Sequence, residues 1–433
     1  MRLFALVLLA SATLIPYEDA KPILEANGRN ISAAEWPAWV AKRNAEIRAR
    51  LAQGDEDSVV NLWLYGTSFT KWPRVTDREA AQLASSEKVQ DLLLARLDDF
   101  VAAIAKPGTN ERLQFARDLV TRKGIDLTTE TGREKAKAYL VEIRERVIAE
   151  NERYRRAAAS PSEYSTLFRD RGLSSDTRLT ASFAIDKALE ALAASGWAAR
   201  GGVKRVAIVG PGLDFTDKAE GYDFYPLQTI QPFAVIDSLA RLELTAPADL
   251  KLTTLDLSPR VNRHILAARK RASLGSAYVI QLPLARDQPL HQWHPDLVAY
   301  WQRFGSMIGR SVPATPAPAI VGDVRVRAVA VRPSIVKAVT PEDVDIVLER
   351  LDPLPDSERF DLIIATNILV YYDGFEQGLA LANISKMLKP GGFFLTNYAV
   401  TPMAPMDTTA SQTTAVFFDR QSNGDTIYAY RRR

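Results

Sequence analysis

The chain has 433 residues, enough for two or three domains, and its apolar fraction of 47% and charged fraction of 25% are ordinary for a globular protein. The formal net charge is only +3 with both signs mixed, which predicts neither nucleic-acid binding nor a general membrane-binding surface. Because the chain contains no cysteine, disulfides, thiolate chemistry and cysteine-ligated metals are excluded.

The N-terminal sequence MRLFALVLLASATLI has the three parts of a secretory signal peptide. Arg2 is a minimal positive region, Leu3–Leu9 form an apolar stretch, and Ala10-Ser11-Ala12 offers a small-x-small cleavage site. The apolar run is too short to span a bilayer as a mature transmembrane helix. We therefore interpret residues 1–20 as a signal peptide or anchor-like segment, which predicts export to the periplasm or cell envelope. A buried N-terminal helix and a misplaced start codon are the alternatives.

Residues 21–199 are predicted to form a helical N-terminal domain, because apolar residues recur through them at helical spacing. Breaks at Lys106-Pro107-Gly108 and Ser160-Pro161-Ser162 separate the helices. Asp176 is predicted to cap the helix that carries Phe183 and Leu189. The apolar residues that define the earlier helices are Trp36, Val40, Ile47 and Leu51, then Val89, Leu93, Leu97, Phe100, Val101 and Ile104, and then Leu140, Ile143, Val147 and Tyr154.

Residues 200–433 are predicted to form a second, α/β domain. Short apolar runs alternate there with helical patterns, which predicts a doubly wound, mostly parallel sheet. A final hairpin is predicted across Ser422-Asn423-Gly424-Asp425, because Asn-Gly is a strong turn signal. The predicted strands are Val203–Val209, Lys251–Leu255, Val324–Val331, Asp345–Leu348, Phe360–Ala365 and Gly392–Tyr398, followed by the hairpin strands Ala415–Asp419 and Thr426–Tyr430.

Two stretches of this region carry the most specific motifs. The first, VKRVAIVGPGLDF at Val203–Phe215, ends an apolar run in Gly-Pro-Gly, and glycine lets a backbone pass close to a bound nucleotide. The second, FDLIIATNILVYYDGFEQGLALANISKMLKPGGFFLTNY at Phe360–Tyr398, contains a buried strand, a helical pattern and a second strand after Lys-Pro-Gly-Gly. This strand–helix–strand order is typical of the other half of a doubly wound sheet.

These two stretches resemble the class I S-adenosylmethionine-dependent methyltransferases, which have a Rossmann-like fold. FDLIIATNILVYYD is locally most similar to the chemotaxis-receptor (CheR-type) methyltransferases. The resemblance covers about Val203–Tyr398 and implies S-adenosyl-L-methionine as cofactor. It also implies a methyl acceptor, a small molecule or a protein, and it does not identify that acceptor. The cofactor is made and used in the cytoplasm, which conflicts with the predicted export.

The resemblance places the backbone of Gly210, Pro211 and Gly212 under the methionine portion of the cofactor. The family pattern usually has an acid where this chain has Ile208, and a third glycine where it has Asp214. Asp214 and Asp217 are the candidates that would supply a carboxylate from the loop instead. The alternative for a glycine pair alone is a tight structural turn.

Two further acids follow predicted strands. Asp256 ends LTTLDLSP, where an acid of a doubly wound nucleotide-binding fold accepts hydrogen bonds from ribose hydroxyls, and Leu257 would then lie beside the ribose or adenine. The alternative is a helix cap, which Ser258 could provide equally well. Asp352, in the sequence LDPLP, resembles the loop acid that binds the adenine amino group, although an Asp before proline is commonly a turn residue.

Three residues after the strand FDLIIAT are candidates for the side of the cofactor that faces the acceptor. Asn367 would bind the cofactor. Tyr371 or Tyr372 would line the methyl-transfer channel, because an aromatic face attracts a sulfonium cation. The alternative is aromatic packing under a helix, which we expect for one of the two tyrosines.

The insert Gly221–Gln231 is rich in aromatic and amide side chains and follows the glycine turn. Tyr225 and Gln228 in this insert are candidate substrate contacts. Alternatively, the insert is a structured loop that packs on the helical domain. The HQWH sequence pairs His291 with His294 but no third ligand is evident, so no metal site is expected, and no catalytic residue is identified.

The sequence favours an S-adenosylmethionine-dependent methyltransferase that acts on an unidentified acceptor. The alternative is an exported, methyltransferase-like binding protein without catalytic activity, which the leader, Ile208 and Asp214 favour. A nucleotide-cofactor oxidoreductase is a weaker option, because the LKPGG turn fits it poorly.

Overall fold

The computed structural model describes residues 10–74, 87–157, 171–177, 179–216, 222–285, 292–400 and 406–433. Its helices are α1 (Tyr17–Ala26), α2 (Trp36–Tyr65), α3 (Glu87–Ala105), α4 (Glu111–Arg122), α5 (Glu130–Ala157), α6 (Leu179–Ala194), α7 (Gln231–Arg241), α8 (Pro259–Ser273), α9 (Pro295–Arg303), α10 (Pro333–Ala338) and α11 (Gly374–Met387). Its strands are β1 (Ser11–Leu14), β2 (Arg205–Val209), β3 (Lys251–Leu255), β4 (Tyr278–Ala285), β5 (Gly309–Val312), β6 (Val324–Val331), β7 (Val339–Glu342), β8 (Glu349–Asp352), β9 (Phe360–Ala365), β10 (Leu388–Thr396), β11 (Met406–Phe417) and β12 (Gly424–Arg432). Within the described ranges, no helix combines the length and the apolar character that crossing a membrane requires.

The N-terminal part of the chain is helical, as the apolar spacing predicts. Helix α2, with 30 residues, takes part in two apolar cores. Trp36 and Ile47, in its first half, pack in the core on one face of the main sheet, together with β2 and β9 residues. Leu62 and Trp63, in its second half, pack with α3, α4 and α5. The long helix therefore connects the helical region to the sheet.

Residues that precede α1 also join the sheet region. Strand β1 pairs antiparallel with β8, and the Ile15 amide donates to the Leu348 carbonyl at 2.8 Å. Ile15 is only 1% exposed, and the Trp36 indole donates to its carbonyl at 3.0 Å. The first nine residues of the predicted leader lie outside the described residues, so export stays a prediction. The Ala10-Ser11-Ala12 sequence falls at the start of β1.

The main sheet has seven strands in the order β11-β12-β10-β9-β2-β3-β7. The five strands from β10 to β7 are mutually parallel, and β12 and β11 are antiparallel. From β2 the chain runs outward through β3 to β7, and it then returns to β9 and runs outward the other way. This confirms the doubly wound, mostly parallel Rossmann-like sheet with a helical N-terminal region.

The two faces of the sheet are covered by different parts of the chain. Alternate strand residues point to opposite faces, so Ile208 and Ile364 pack with α6, α7 and α8, whereas Val209 and Ile363 pack with α1, the first half of α2 and α11. Both faces are buried, which explains why the parallel strands are continuous apolar runs instead of alternating ones.

Strands β2, β3 and β9 form where the sequence predicts them, with small differences at their ends. The last two predicted elements also form, but β10 begins at Leu388, before the Pro-Gly-Gly, and the first hairpin strand β11 begins at Met406, nine residues before the predicted start. The strand predicted at Asp345–Leu348 is wrong. The third strand of the parallel sheet is β7, whose register with β3 runs from Leu252–Val339 to Leu255–Glu342. The apolar run after it is a buried loop, in which the Asp345 carboxylate accepts from the Val347 amide at 3.0 Å.

The strand predicted at Val324–Val331 forms, but in a different sheet. As β6 it lies between β4 and β5 in a separate antiparallel sheet of three strands. The β4–β6 pair is in register from Tyr278–Val331 to Ala285–Val324. This small sheet is inserted between α8 and β7, and the sequence analysis missed strands β4 and β5.

The packing of β1 can be tested by two neighbouring substitutions. Ile15→Ala removes a buried side chain and should lower the free energy of unfolding by about 2–5 kcal/mol. Leu14 is 51% exposed, so Leu14→Ala should change the free energy of unfolding by no more than about 0.5 kcal/mol. Urea denaturation of both variants measures the difference. Equal losses would contradict the packing of this segment on the sheet.

Candidate functional site

A cavity of about 730 Å³ lies at the carboxyl edge of the main sheet. It opens between β2 and β9, which are neighbours in the sheet although the chain leaves them in opposite directions. Such a topological switch point is where doubly wound sheets bind ligands. The described residues that line the cavity are Leu51, 173–177, Thr180, Ala181, Val209, Gly210, Gly212, Thr216, Gln231, 255–257, Val344, Ile346, 366–368, 370–372, Asn397, Tyr398, Phe418, Gly424 and Asp425.

Both glycines of the Gly-Pro-Gly turn lie at this cavity. Gly210 and Gly212 line it and have positive φ angles of 61° and 64°, whereas Pro211 is buried and does not line it. A Cβ on Gly212 would lie 2.8 Å from the Ser175 carbonyl oxygen. Glycine is therefore required at 212 for two reasons, the positive φ angle of the turn and the close approach of the Ser175 backbone.

The residues that approach Gly212 belong to a segment we call the crossing segment, Leu173–Thr177. The Leu213 amide donates to the Ser175 carbonyl at 2.7 Å, and the Thr177 amide donates to the Leu213 carbonyl at 2.8 Å. At its other end the Leu173 amide donates to the Arg50 carbonyl of α2 at 2.9 Å. The crossing segment thus forms a wall of the cavity that no sequence motif indicates.

Asp176 of the crossing segment lines the cavity and is held from two sides. Its carboxylate accepts from the Ser58 hydroxyl at 2.9 Å and lies 3.4 Å from the Arg260 guanidinium. Arg260 is also 3.6 Å from the Asp55 carboxylate and lies between two aromatic rings, those of Phe115 and Phe215. The side chain of Asp176 is bonded to Ser58 and Arg260, and its predicted capping role involves residue 178, which lies outside the described residues.

Asp256 directly follows β3 and lines the cavity, with Leu257 beside it. It is 8% exposed, and burial raises the pKa of its carboxyl to about 7. The amides of Ser258, at 2.8 Å, and Gly212 hydrogen-bond to this carboxylate and lower the pKa in part. The acid is therefore held at the cavity wall by the glycine turn and by the start of α8.

Asp352 does not line the cavity. It lies at the end of β8, outside the main sheet, where it pairs with Ser11, and its side chain is 48% exposed. The position that the sequence assigned to Asp352 follows the third strand of the sheet, which is β7. Val344 and Ile346, in the loop after β7, line the cavity instead.

Asn367 lines the cavity just after β9 in a left-handed conformation with φ 58°, which asparagine tolerates better than most residues. Its amide donates to the Asn397 side-chain oxygen at 2.7 Å, and its own side-chain oxygen accepts from the Asn397 amide group at 2.7 Å. That amide group also contacts the Asp425 carboxylate at 3.2 Å. Three polar side chains, two that follow β9 and β10 and one at the start of β12, therefore meet at one side of the cavity.

Tyr371 and Tyr372 both line the cavity, and burial raises the pKa of each phenol. Tyr372 is 5% exposed, with the Arg50 guanidinium 5.8 Å from its ring centre. Arg50 also donates to the Tyr371 carbonyl at 2.9 Å. Helix α2 thus packs against both tyrosines.

Asp214, Tyr225 and Gln228 form a buried network that does not line the cavity. The Asp214 carboxylate accepts from the Tyr225 hydroxyl at 2.9 Å and from the Gln228 side-chain amide at 2.7 Å. Arg112 of α4 donates to the Asp214 and Tyr225 carbonyls. The described part of the aromatic insert therefore packs on the helical region, which is the alternative that the sequence left open, and the geometry favours a structural role for these three residues.

No sequence motif indicates that the side of the cavity near β10 and β12 is lined by Asn397, Tyr398, Gly424 and Asp425. A second cavity of about 530 Å³ adjoins the first and shares Asn397, Tyr398, Gly424 and Asp425 with it. It includes Phe417, which is 47% exposed, and so it reaches the surface. Within the described ranges, no group of three or more His, Asp or Glu side chains is placed to hold a metal ion.

No protein-family model and no curated protein matches the chain. Among solved structures, it is similar to the glycopeptide N-methyltransferase MtfA complexed with S-adenosyl-L-methionine, at 15% identity and a TM-score of 0.20 over 55% of this chain and 68% of that one. The same enzyme complexed with S-adenosyl-L-homocysteine matches at 13% identity and a TM-score of 0.21, over 61% of this chain and 74% of that one. The mitomycin 7-O-methyltransferase MmcR matches at 11% identity and a TM-score of 0.29, over 93% of this chain and 99% of that one. Similarity this low assigns no role to any residue.

The close approach at Gly212 predicts a difference between two glycine substitutions. Gly275 has a positive φ of 86° but open space around it, so Gly275→Ala should cost only the backbone strain of about 1–2 kcal/mol. Gly212→Ala adds a contact with Ser175 and should lower the free energy of unfolding further. Urea denaturation compares the two variants. Equal losses in the free energy of unfolding would show that the crossing segment does not contact the turn closely at residue 212.

The raised pKa of Asp256 predicts a pH dependence of stability. The unfolded chain loses this proton near pH ~4, whereas the folded chain keeps it up to about pH 7, so the free energy of unfolding should fall as the pH rises between these values. Asp256→Asn should make this decline shallower, and so should Asp345→Asn, because burial also raises the pKa of Asp345 to about 7. Urea denaturation from pH 4 to 8 measures the slopes. A slope unchanged by both substitutions would contradict the burial of these acids.

Proposed function

We propose that this chain is an S-adenosylmethionine-dependent methyltransferase whose acceptor is not identified. The observation that carries the proposal is the cavity at the switch point between β2 and β9. Its volume of about 730 Å³ lies in the range of about 300–1,000 Å³ that is usual for small-molecule and cofactor sites.

The residues present suit the parts of this cofactor. Asp256 at the end of β3 would accept hydrogen bonds from the ribose hydroxyls. Leu257, Val344 and Ile346 offer apolar contacts for the adenine. The Thr216 hydroxyl is buried at 5% exposure, lines the cavity and has no hydrogen-bond partner among the described residues, which favours a polar ligand.

When bound, S-adenosylmethionine supplies an electrophilic methyl group. The protein would mainly align the acceptor and exclude water. The second cavity, which joins the first at Asn397 and Asp425, is where we place the acceptor. The local resemblance to CheR-type methyltransferases does not extend to an acceptor, and we do not assign one from it.

Cofactor binding can be tested with a matched pair of acids. At pH 8, where the Asp256 carboxyl is ionised, Asp256→Ala should weaken the binding of S-adenosylmethionine and S-adenosylhomocysteine by about 1–3 kcal/mol, the usual loss for hydrogen bonds to a charged group. Asp352→Ala should leave both affinities unchanged, because Asp352 lies outside the cavity. Isothermal titration calorimetry measures each affinity.

A wild-type chain that binds neither compound would contradict the proposal. Binding of the cofactor without methyl transfer to any acceptor tested would favour the inactive binding protein instead.

A further inference from the structure

We infer that the Asp176 carboxylate, carried on the crossing segment, binds the α-ammonium group of the cofactor's methionine portion. This inference rests on the proposed function and gives the helical N-terminal region a direct part in cofactor recognition. It concerns a residue outside every motif of the α/β region.

The first support is the position of Asp176. The acid usual before the glycine turn is replaced by Ile208, which is 0% exposed and packs in the core. Asp176 instead forms a β-bridge with Leu213, the residue after Gly212. It lines the same cavity as Gly210 and Gly212. An acidic residue from a different part of the chain therefore lies beside the glycine turn.

The second support is the charge balance at this wall. The Arg260 guanidinium is buried at 7% exposure and serves two carboxylates, Asp176 at 3.4 Å and Asp55 at 3.6 Å. The charges of Arg122 and Arg263 also act on Asp55. Among the described residues, Arg260 is the cation at ion-pair distance from Asp176. A ligand ammonium beside Asp176 would add a second positive charge, which stabilises a partly buried carboxylate.

The third support is how firmly the carboxylate is held. The Ser58 hydroxyl, on α2, and the guanidinium of Arg260, on α8, fix the Asp176 side chain from two elements. The backbone on both sides of Asp176 is bonded to Leu213. A carboxylate fixed in this way loses little freedom when a ligand binds, which favours affinity.

The structure supplies a matched control in Asp55. Asp55 and Asp176 share the Arg260 ion pair, but Asp55 does not line the cavity. Asp55→Asn and Asp176→Asn therefore remove comparable ion pairs, and only the second removes the group that we place against the ligand.

The test compares two probes by isothermal titration calorimetry. S-adenosylhomocysteine carries the amino acid portion, and 5′-methylthioadenosine lacks it. Asp176→Asn should weaken S-adenosylhomocysteine binding by about 10-fold or more, as expected for a lost charged hydrogen bond, and should leave 5′-methylthioadenosine binding unchanged. Asp55→Asn should leave the affinities of both probes unchanged.

The outcomes separate this inference from the proposed function. If the wild-type chain binds neither probe, the proposed function fails and the inference fails with it. If the wild-type chain binds both, an Asp176→Asn variant with unchanged affinities, or with equal losses for the two probes, overturns only the role of Asp176. The same selective loss in Asp55→Asn would assign the effect to Arg260.

A variant that keeps the negative charge guards against loss of folding. If Asp176→Asn does not fold, Asp176→Glu retains the charge opposite Arg260 but moves the carboxylate by one methylene. Asp176→Glu should still weaken the binding of S-adenosylhomocysteine and leave the binding of 5′-methylthioadenosine unchanged. Wild-type affinity for both probes would overturn the inference.

Discussion

Two backbone hydrogen bonds join Leu213 to Ser175 and Thr177, and the candidate site depends on them. They hold the crossing segment against the glycine turn, at a distance that only a residue without a Cβ permits at 212. They also bring Asp176 to the cavity wall, where α2 and α8 fix it. Because of this contact, the helical region and the sheet form one cavity between them. Removing the helical region would therefore remove part of the site.

Most of the sheet could be predicted because its buried parallel strands are apolar runs bounded by glycine and proline. Residues Asp345–Leu348 are also apolar but form a loop. They are buried, and a buried loop is apolar for the same reason as a buried strand, so an apolar run does not by itself indicate strand pairing. The strand beside β3 is β7, which carries Pro341 and lies at the sheet edge, where a missing amide donor is tolerated. Strand β6 shows a further limit, because periodicity does not indicate which sheet a strand joins.

The site could be predicted best where a residue's position follows from its strand. Gly210, Asp256 and Asn367 end parallel strands or follow them directly, and all three line the cavity. Asp214 follows the turn closely and Gln228 lies in the insert after it, but their side chains bond to each other. Sequence does not specify the direction of a loop side chain. The crossing segment could not be predicted at all. Its position depends on contacts with α2 and with Leu213 between residues far apart in the chain.

The central claim is that one ligand contacts the sheet and the helical region together. A crystal structure of the full chain grown with S-adenosylhomocysteine tests it most directly. The account predicts ligand density in the cavity between β2 and β9, with the ribose at Asp256 and the amino acid portion between Gly212 and the crossing segment. Density for the ligand at any other place, or a cavity that stays empty at saturating ligand, would contradict the account.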